Sequence, residues 1–337
     1  MRENKTEESG HRHMNWVDKM NQLGKEKSPF IFILDFELKN PLILKLGQIP
    51  NDIYYKFNDI KNYSLFGTQS KPLHFLPKPM PIGQYSKSFD AAKKEILYGN
   101  SFLLNLTFPT PIETNYTLRE LFNISHARYK LYYKDQFIVS SPEIFIKIIN
   151  GKIFTFPMKG TIDASIPDAE SNILNDVKET AEHYTIVDLL RNDLSMVATN
   201  VKVNKFRYID KLVTSTKTLL QVSSEIEGTL PIDFNENLGT IFAKLLPAGS
   251  ISGAPKKKTV EIIKANEIDN RGYYTGVFGI FDGDNVDSGV MIRYIEKQDD
   301  KLIYRSGCGI TYRSECASEY QEMIDKVYIP LGKINHF

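Results

Sequence analysis

Four carboxylates stand out by type and spacing. Glu179 and Glu182 lie three apart in a stretch with helical periodicity, and Glu319 and Glu322 repeat the arrangement near the C-terminus. Residues three apart share a helix face, so each pair would present its carboxylates side by side. Two such pairs converging would make an oxygen-rich, negative site suited to Mg²⁺, which takes few protein carboxylates and keeps positions for substrate oxygen. Either pair alone would equally suit a solvated helix face balanced by Lys178 or Lys326.

Three further segments could bind or react. Lys159, in PMKGT, follows the strand-like run KIFTFP. With Pro157 fixing the backbone and Gly160 allowing a sharp turn, its amine could be a desolvated nucleophile or the charge partner of an acid. In LLPAGSISGAPKKKTVEII, Pro255 stands where a helix would begin. Gly249, Ser252, Gly253 and Ala254 would let a ligand approach backbone N–H groups there, or simply form a structural turn. The segment matches neither a Walker A loop nor a dinucleotide fingerprint. In SGCGI, Gly307 and Gly309 flank Cys308 and permit a close turn able to hold a carboxylate, with a strand bulge as the alternative. Cys308 lacks the setting of an elbow nucleophile. Arg293, ending VMIR, could clamp a carboxylate bidentately.

The elements that must position these residues are strands in quick succession with helices between them. PFIFILDF and NPLILKL read as strands joined at Lys39-Asn40; SFLLNLTF, KLYYKDQFIVS, IFIKIINGKIFTFP and the runs from Tyr273 to Glu296 and from Lys301 to Tyr312 follow. Asn-Gly and Asp-Gly-Asp-Asn mark turns. Ser88–Gly99, Glu170–Ala198 (as two helices), Pro255–Ala265 and Ser318–Val327 carry helical spacing. Hairpins interrupted by helices predict an antiparallel α+β protein rather than a doubly wound parallel sheet. The proline-rich stretch 71–83 reads as an internal connection.

Composition narrows the class. With 42% hydrophobic and 25% charged residues, the 337-residue chain fits a packed globule rather than a disordered one. A net charge of +1 gives no drive toward nucleic acid or an anionic membrane. Two cysteines, Cys308 and Cys316, are too few for a disulfide scaffold and lack zinc spacing, which predicts a reducing cytoplasm. The longest apolar run, Pro29 to Leu34, is far too short to span a bilayer, and the polar N-terminus has no signal-peptide core.

Taken in order, PMKGT, KETAEHYTIVDLLRNDLSMV, LLPAGSISGAPKKKTVEII, RGYYTGVFG with VMIR, and GCGITYRSECASEYQEMIDK resemble the chorismate-utilising enzymes. The matching motifs run from about Ser140, in SSPEIF, to Lys326, and weaker similarity extends upstream through GNSFLLNLTF to PFIFILDFE. The resemblance implies one catalytic domain over 14–337, its motifs within about 84–330, behind a flexible segment 1–13. It also implies two large antiparallel sheets packed face to face with helices outside.

It assigns roles as well. Glu182 and Glu322 would ligate Mg²⁺, and Glu179 and Glu319 would support it through water. Arg293, Tyr274, the Gly307-Cys308-Gly309 backbone and Lys326 would hold the enolpyruvyl side of chorismate, and Gly160, Thr161 and Ser250 would line the ring. Where isochorismate and salicylate synthases carry a water-activating lysine, this chain has Leu103, which cannot accept a proton. Lys159 resembles the lysine of aminodeoxychorismate synthases that attacks carbon 2 as the 4-hydroxyl leaves, before ammonia enters at carbon 4. To do so it must be neutral part of the time, so burial must offset nearby carboxylates. Leu220 stands where many members place a histidine near the ring, so either Thr161 or Ser250 assists the leaving hydroxyl or the alignment slips by a residue.

No glutaminase nucleophile is present, so the resemblance implies a separate glutamine amidotransferase subunit as the ammonia source. The expected activity is therefore that of aminodeoxychorismate synthase component I, feeding 4-aminobenzoate and folate synthesis. Anthranilate synthesis is the alternative within the family. A Schiff-base lyase built on Lys159 and a non-catalytic ligand-binding protein are the alternatives outside it.

Overall fold

The run FIFIL at Phe30–Leu34 has no polar alternation because both of its faces are buried. Phe30, Phe32 and Leu34 pack toward helices on one side, while Ile31 and Ile33 join Phe57, Tyr129, Phe278 and Tyr294 on the other. That division organises a computed structural model in which residues 15–64, 71–213 and 218–331 are described. The expected flexible segment 1–13 lies outside the described residues.

Two antiparallel sheets, each of nine strands, pack face to face. The first runs in the order Met158–Asp163, Thr218–Thr229, Lys152–Thr155, Ile144–Ile149, Val286–Val290, Val277–Phe281, Phe30–Leu34, Leu42–Lys45, with Thr199–Val213 also paired to Thr218–Thr229. The second runs Gly253–Ala254, Leu103–Thr114, Lys301–Ile310, Tyr294–Gln298, Phe137–Ser141, Tyr129–Tyr133, Ile53–Phe57, Ile60–Lys61, with Phe75–Pro77 on Leu103–Thr114. Helices Trp16–Lys25, Val177–Ser195 and Leu238–Leu245 cover the outer face of the first sheet; Ile82–Leu97, Lys256–Asn266 and Cys316–Asp325 cover part of the second. The fold expected from the resemblance is the fold observed. No helix among the described residues is long and apolar enough to cross a membrane.

Most elements read from the periodicity are present, including the break between Ala169–Asn175 and Val177–Ser195 and the Gly99 cap at φ 81°. Thr199–Val213, the longest strand, escaped the sequence reading. Its run NVKVNKFRYIDK is half polar, and bulges interrupt its pairing.

The chain changes sheet at two places that matter below. Phe137–Ser141 belongs to the second sheet and Ile144–Ile149 to the first, so Glu143 lies on the crossover. Val286–Val290 belongs to the first and Tyr294–Gln298 to the second, which puts Arg293 on another, at φ 51°. The two crossovers are neighbours: Val290 N–H donates to Glu143 O at 3.1 Å and Ser140 N–H to Arg293 O at 3.2 Å.

Candidate active site

PMKGT is a bulged strand rather than a sharp turn. Met158 pairs with Ser223 but Thr161 with Gln221, so one extra residue is inserted, and Gly160 takes φ 86° to absorb it. A bulge re-aims a side chain, and here it brings the Lys159 amine into contact with the Glu182 carboxylate. A Cβ on Gly309 would lie 3.7 Å from Lys159 Nζ and 3.3 Å from Leu103 Cδ1, which places Leu103 beside the amine as well. Gly160 itself backs onto Glu179, whose Oε2 would sit 3.4 Å from an added Cβ.

The helix Val177–Ser195 starts at Asp176, whose side chain caps Glu179 N–H at 2.8 Å. Its buried stripe is apolar at Ile186, Val187, Leu190 and Leu194, but one turn earlier the same face carries Glu182 and His183. Glu319 is likewise buried on the helix Cys316–Asp325, with Glu322 partly so. Three lysines hold the quartet: Lys159 on Glu182, Lys178 at 3.3 Å from Glu319 and 4.0 Å from Glu182, and Lys326 at 2.7 Å from Glu322. Lys326 also donates to Gly307 O at 3.0 Å.

Electrostatics decides the charge of the amine. Burial acts to lower the Lys159 pKa, but Glu182, Glu179 and Glu322 outweigh it and hold it above the ordinary lysine value. With substrate and metal both absent, these charges favour the ammonium form, so burial alone does not supply the neutral amine that attack on carbon 2 requires. Burial raises the Glu179 carboxyl, with Lys159 opposing, whereas at Glu322 burial is overcome by Lys326, Lys159 and Lys178 and the pKa falls.

A second group lies at the sheet crossovers. Ser250 Oγ donates to Glu143 Oε1 at 2.5 Å. Burial raises the Glu143 carboxyl against the opposing pull of Ser250, Arg293 and Lys326. Arg293 stacks 4.8 Å over the Tyr328 ring and keeps a buried Nε without a hydrogen-bond partner. Burial pushes the neighbouring Tyr274 hydroxyl up to about 12, against the Arg271 and Arg293 charges. Glu143 escaped the sequence reading, although it is the single charged residue between Phe137 and Phe145. His183 escaped too. Its Nε2 lies 2.7 Å from Ser224 Oγ, and burial, with Arg207 and Lys159, pushes it down to about 4.

The sequence profile of the chorismate binding enzymes matches residues 64–332. The chain belongs to the chorismate binding enzymes. It is 49% identical, over 94% of this chain and 98% of the other, to an uncharacterized PabA-like protein of Pasteurella multocida (strain Pm70). The anthranilate synthase component I of Streptococcus pneumoniae TIGR4 superposes with TM-score 0.63 at 28% identity, covering 76% of this chain and 59% of that one. A 2,3-dihydroxybenzoate-specific isochorismate synthase from Bacillus anthracis superposes with TM-score 0.70 at 19% identity over 93% and 88% of the two chains, a likeness of fold.

Within this chorismate binding enzyme, two expectations change. Gly307 and Gly309 form no turn: SGCGI continues the strand Lys301–Ile310, in register with Thr107, Leu106 and Asn105. Glycine is needed at 307 because a Cβ would lie 2.5 Å from the Leu106 carbonyl oxygen. Cys308 can offer only backbone, since its side chain is fully buried 3.2 Å from the Tyr85 hydroxyl and its thiol is pushed up to about 12 by burial.

The second half of the GSISGAP segment is taken up by strand pairing and a helical turn, which leaves Gly253 and Ala254 no part in a ligand cradle. Gly253 and Ala254 pair with Leu104 and Leu103, while Ser252 Oγ donates to Ala248 O at 2.8 Å. Gly253 sits at φ 129°, where an added Cβ would collide with the Leu103 carbonyl oxygen, so Gly253→Ala is expected to cost about 2–4 kcal/mol in denaturant unfolding. An unchanged midpoint would contradict that close approach. Of the other expected ring-lining residues, Thr161 is exposed; Leu220, at the position of the family's histidine, is buried opposite Ile162.

The acids fit a hard cation in donor chemistry. All are oxygen donors, and Glu179 Oε2 and Glu182 Oε1 are buried without a hydrogen-bond partner. Among the described residues, no three acidic, His or Cys side chains converge closely enough to hold a metal ion. The Lys159 and Lys178 ammonium groups lie among the carboxylates instead.

Proposed function

We propose that this chain is component I of an aminodeoxychorismate synthase. It would convert chorismate and ammonia to 4-amino-4-deoxychorismate in the cytoplasm, drawing ammonia from a separate glutamine amidotransferase subunit. The observation that carries this reading is the Lys159 amine, set by a bulge against Glu182 and beside Gly309 and Leu103. Leu103 can activate no water there, so a nitrogen nucleophile is favoured over hydration. The PabA-like name of the Pasteurella relative is in keeping with it.

Glu182 and Glu322 would hold Mg²⁺, with Glu179 and Glu319 reaching it through water. When bound, the ion would neutralise the ring carboxylate and draw electron density toward it. Arg293, with its open Nε, and Tyr274 would hold the enolpyruvyl carboxylate.

Lys159 first gives up its extra proton to solvent, and the freed nitrogen bonds to carbon 2 as a secondary ammonium. The ring double bonds shift and the bond from carbon 4 to the hydroxyl breaks. Glu143, whose raised pKa favours the protonated form, gives its proton to the departing oxygen, so water leaves. Ammonia then bonds to carbon 4, the electrons shift back, and the carbon 2–nitrogen bond breaks. The electrons of that bond return to nitrogen as the free Lys159 amine, and the proton released by the incoming nitrogen re-protonates Glu143.

Chorismate with ammonium and Mg²⁺, followed by product identification, tests this scheme. The expected product yields 4-aminobenzoate when a suitable lyase is added. Fluorescent anthranilate would shift the assignment to anthranilate synthase, and borohydride trapping of a carbonyl substrate on Lys159 would shift it to a Schiff-base lyase.

A further inference from the structure

The quartet of acids is not evenly neutralised. Glu182 is only 6% exposed, yet its Oε1 has no hydrogen-bond partner, because Lys178 approaches it no closer than 4.0 Å. Lys159 is in direct contact with the other Glu182 oxygen, and Lys326 is tied to both Glu322 and Gly307 O. Lys178 is held least firmly. Its side chain is 42% exposed, against 27% for Lys159.

Its place on the helix is also unfavourable. Lys178 lies in the first turn of Val177–Ser195, where the positive end of the helix dipole favours acids. A lysine four residues before a glutamate is the poorer order of that pair as well. Lys178 and Glu182 both line a cleft of about 480 Å³ that also includes Phe102, Leu103 and Thr311. A hydrated ion entering there would meet Lys178 and the unpartnered Glu182 oxygen together.

We propose that Lys178 is a tethered counter-ion of the acid quartet, bridging Glu182 and Glu319 until a divalent cation displaces it toward solvent. This inference rests on the quartet as the Mg²⁺ site. Its consequence is that Lys178 weakens Mg²⁺ binding while stabilising the metal-free protein. Arginine in its place would grip both carboxylates through a planar fork and be harder to displace.

Calorimetric titration of MgCl₂ into the full chain, without chorismate, tests this directly. Lys178→Gln is expected to tighten binding about tenfold, a difference of about 1.4 kcal/mol. Lys178→Arg is expected to weaken it. The Gln variant should also melt below the parent without Mg²⁺ and close that gap at saturating Mg²⁺, whereas a purely structural lysine would leave the gap unchanged. Should the Gln variant not fold, the Arg variant alone decides, and binding equal to or tighter than the parent overturns the proposal. Equal or weaker binding by a folded Gln variant does the same. If no form of the chain binds Mg²⁺, this proposal and the metal assignment fall together, while the product assay still judges the chemistry of Lys159.

Discussion

Replacing Lys159 with alanine is expected to lower chorismate turnover with ammonia roughly a thousandfold or more while the protein stays folded. The tethered amine is worth so much because it waits beside the ring instead of arriving from solution. The bulge at Gly160 and the Glu182 contact hold it there in the free protein. The fold should tolerate its loss, because Lys159 lies at a partly exposed site and Lys178 still faces Glu182. Lys159→Arg keeps the charge but supplies no free amine, so it should be as inactive as the alanine variant. Steady-state assays of both variants, with circular dichroism to confirm folding, decide the matter. Intact turnover in either without added amine would remove the covalent step.

Glu143→Gln is expected to lower kcat roughly 10²–10⁴-fold with little change in KM. Ser250 can still donate to the amide oxygen, so the local packing should survive while the proton donor is lost. The sign of the pH dependence follows from the raised pKa. Burial lifts the Glu143 carboxyl above its ordinary value, so its acid form persists to higher pH, and activity that needs that proton declines as pH rises through the shifted pKa. This alkaline limb should be present in the parent kcat profile and absent from the Gln variant. Equal kcat values for the two would assign the proton to another group.

Ser250 and Glu143 show how far local sequence reaches. Ser250 was singled out by the family resemblance, but its partner lies 107 residues earlier. Nothing in SSPEIF announces that the crossover bearing Glu143 lies beside the one bearing Arg293. Proline and glycine in PMKGT, and the glycines of SGCGI, suggested turns because those residues are commonest there. The same chemistry serves strands: glycine takes the positive φ of the bulge at 160 and lets two strands approach at 307.

The order of motifs along the chain was enough to establish the family, the paired sheets and which acids and which lysine to watch. Helical and strand periodicities are local, and residue types at three- and two-residue spacings record them directly. The charge of Lys159, the elevated carboxyl of Glu143 and the half-free grip of Lys178 came only with the tertiary structure. Each depends on burial and on charges supplied by distant segments, and the strength of an electrostatic interaction depends on separation in space rather than along the chain.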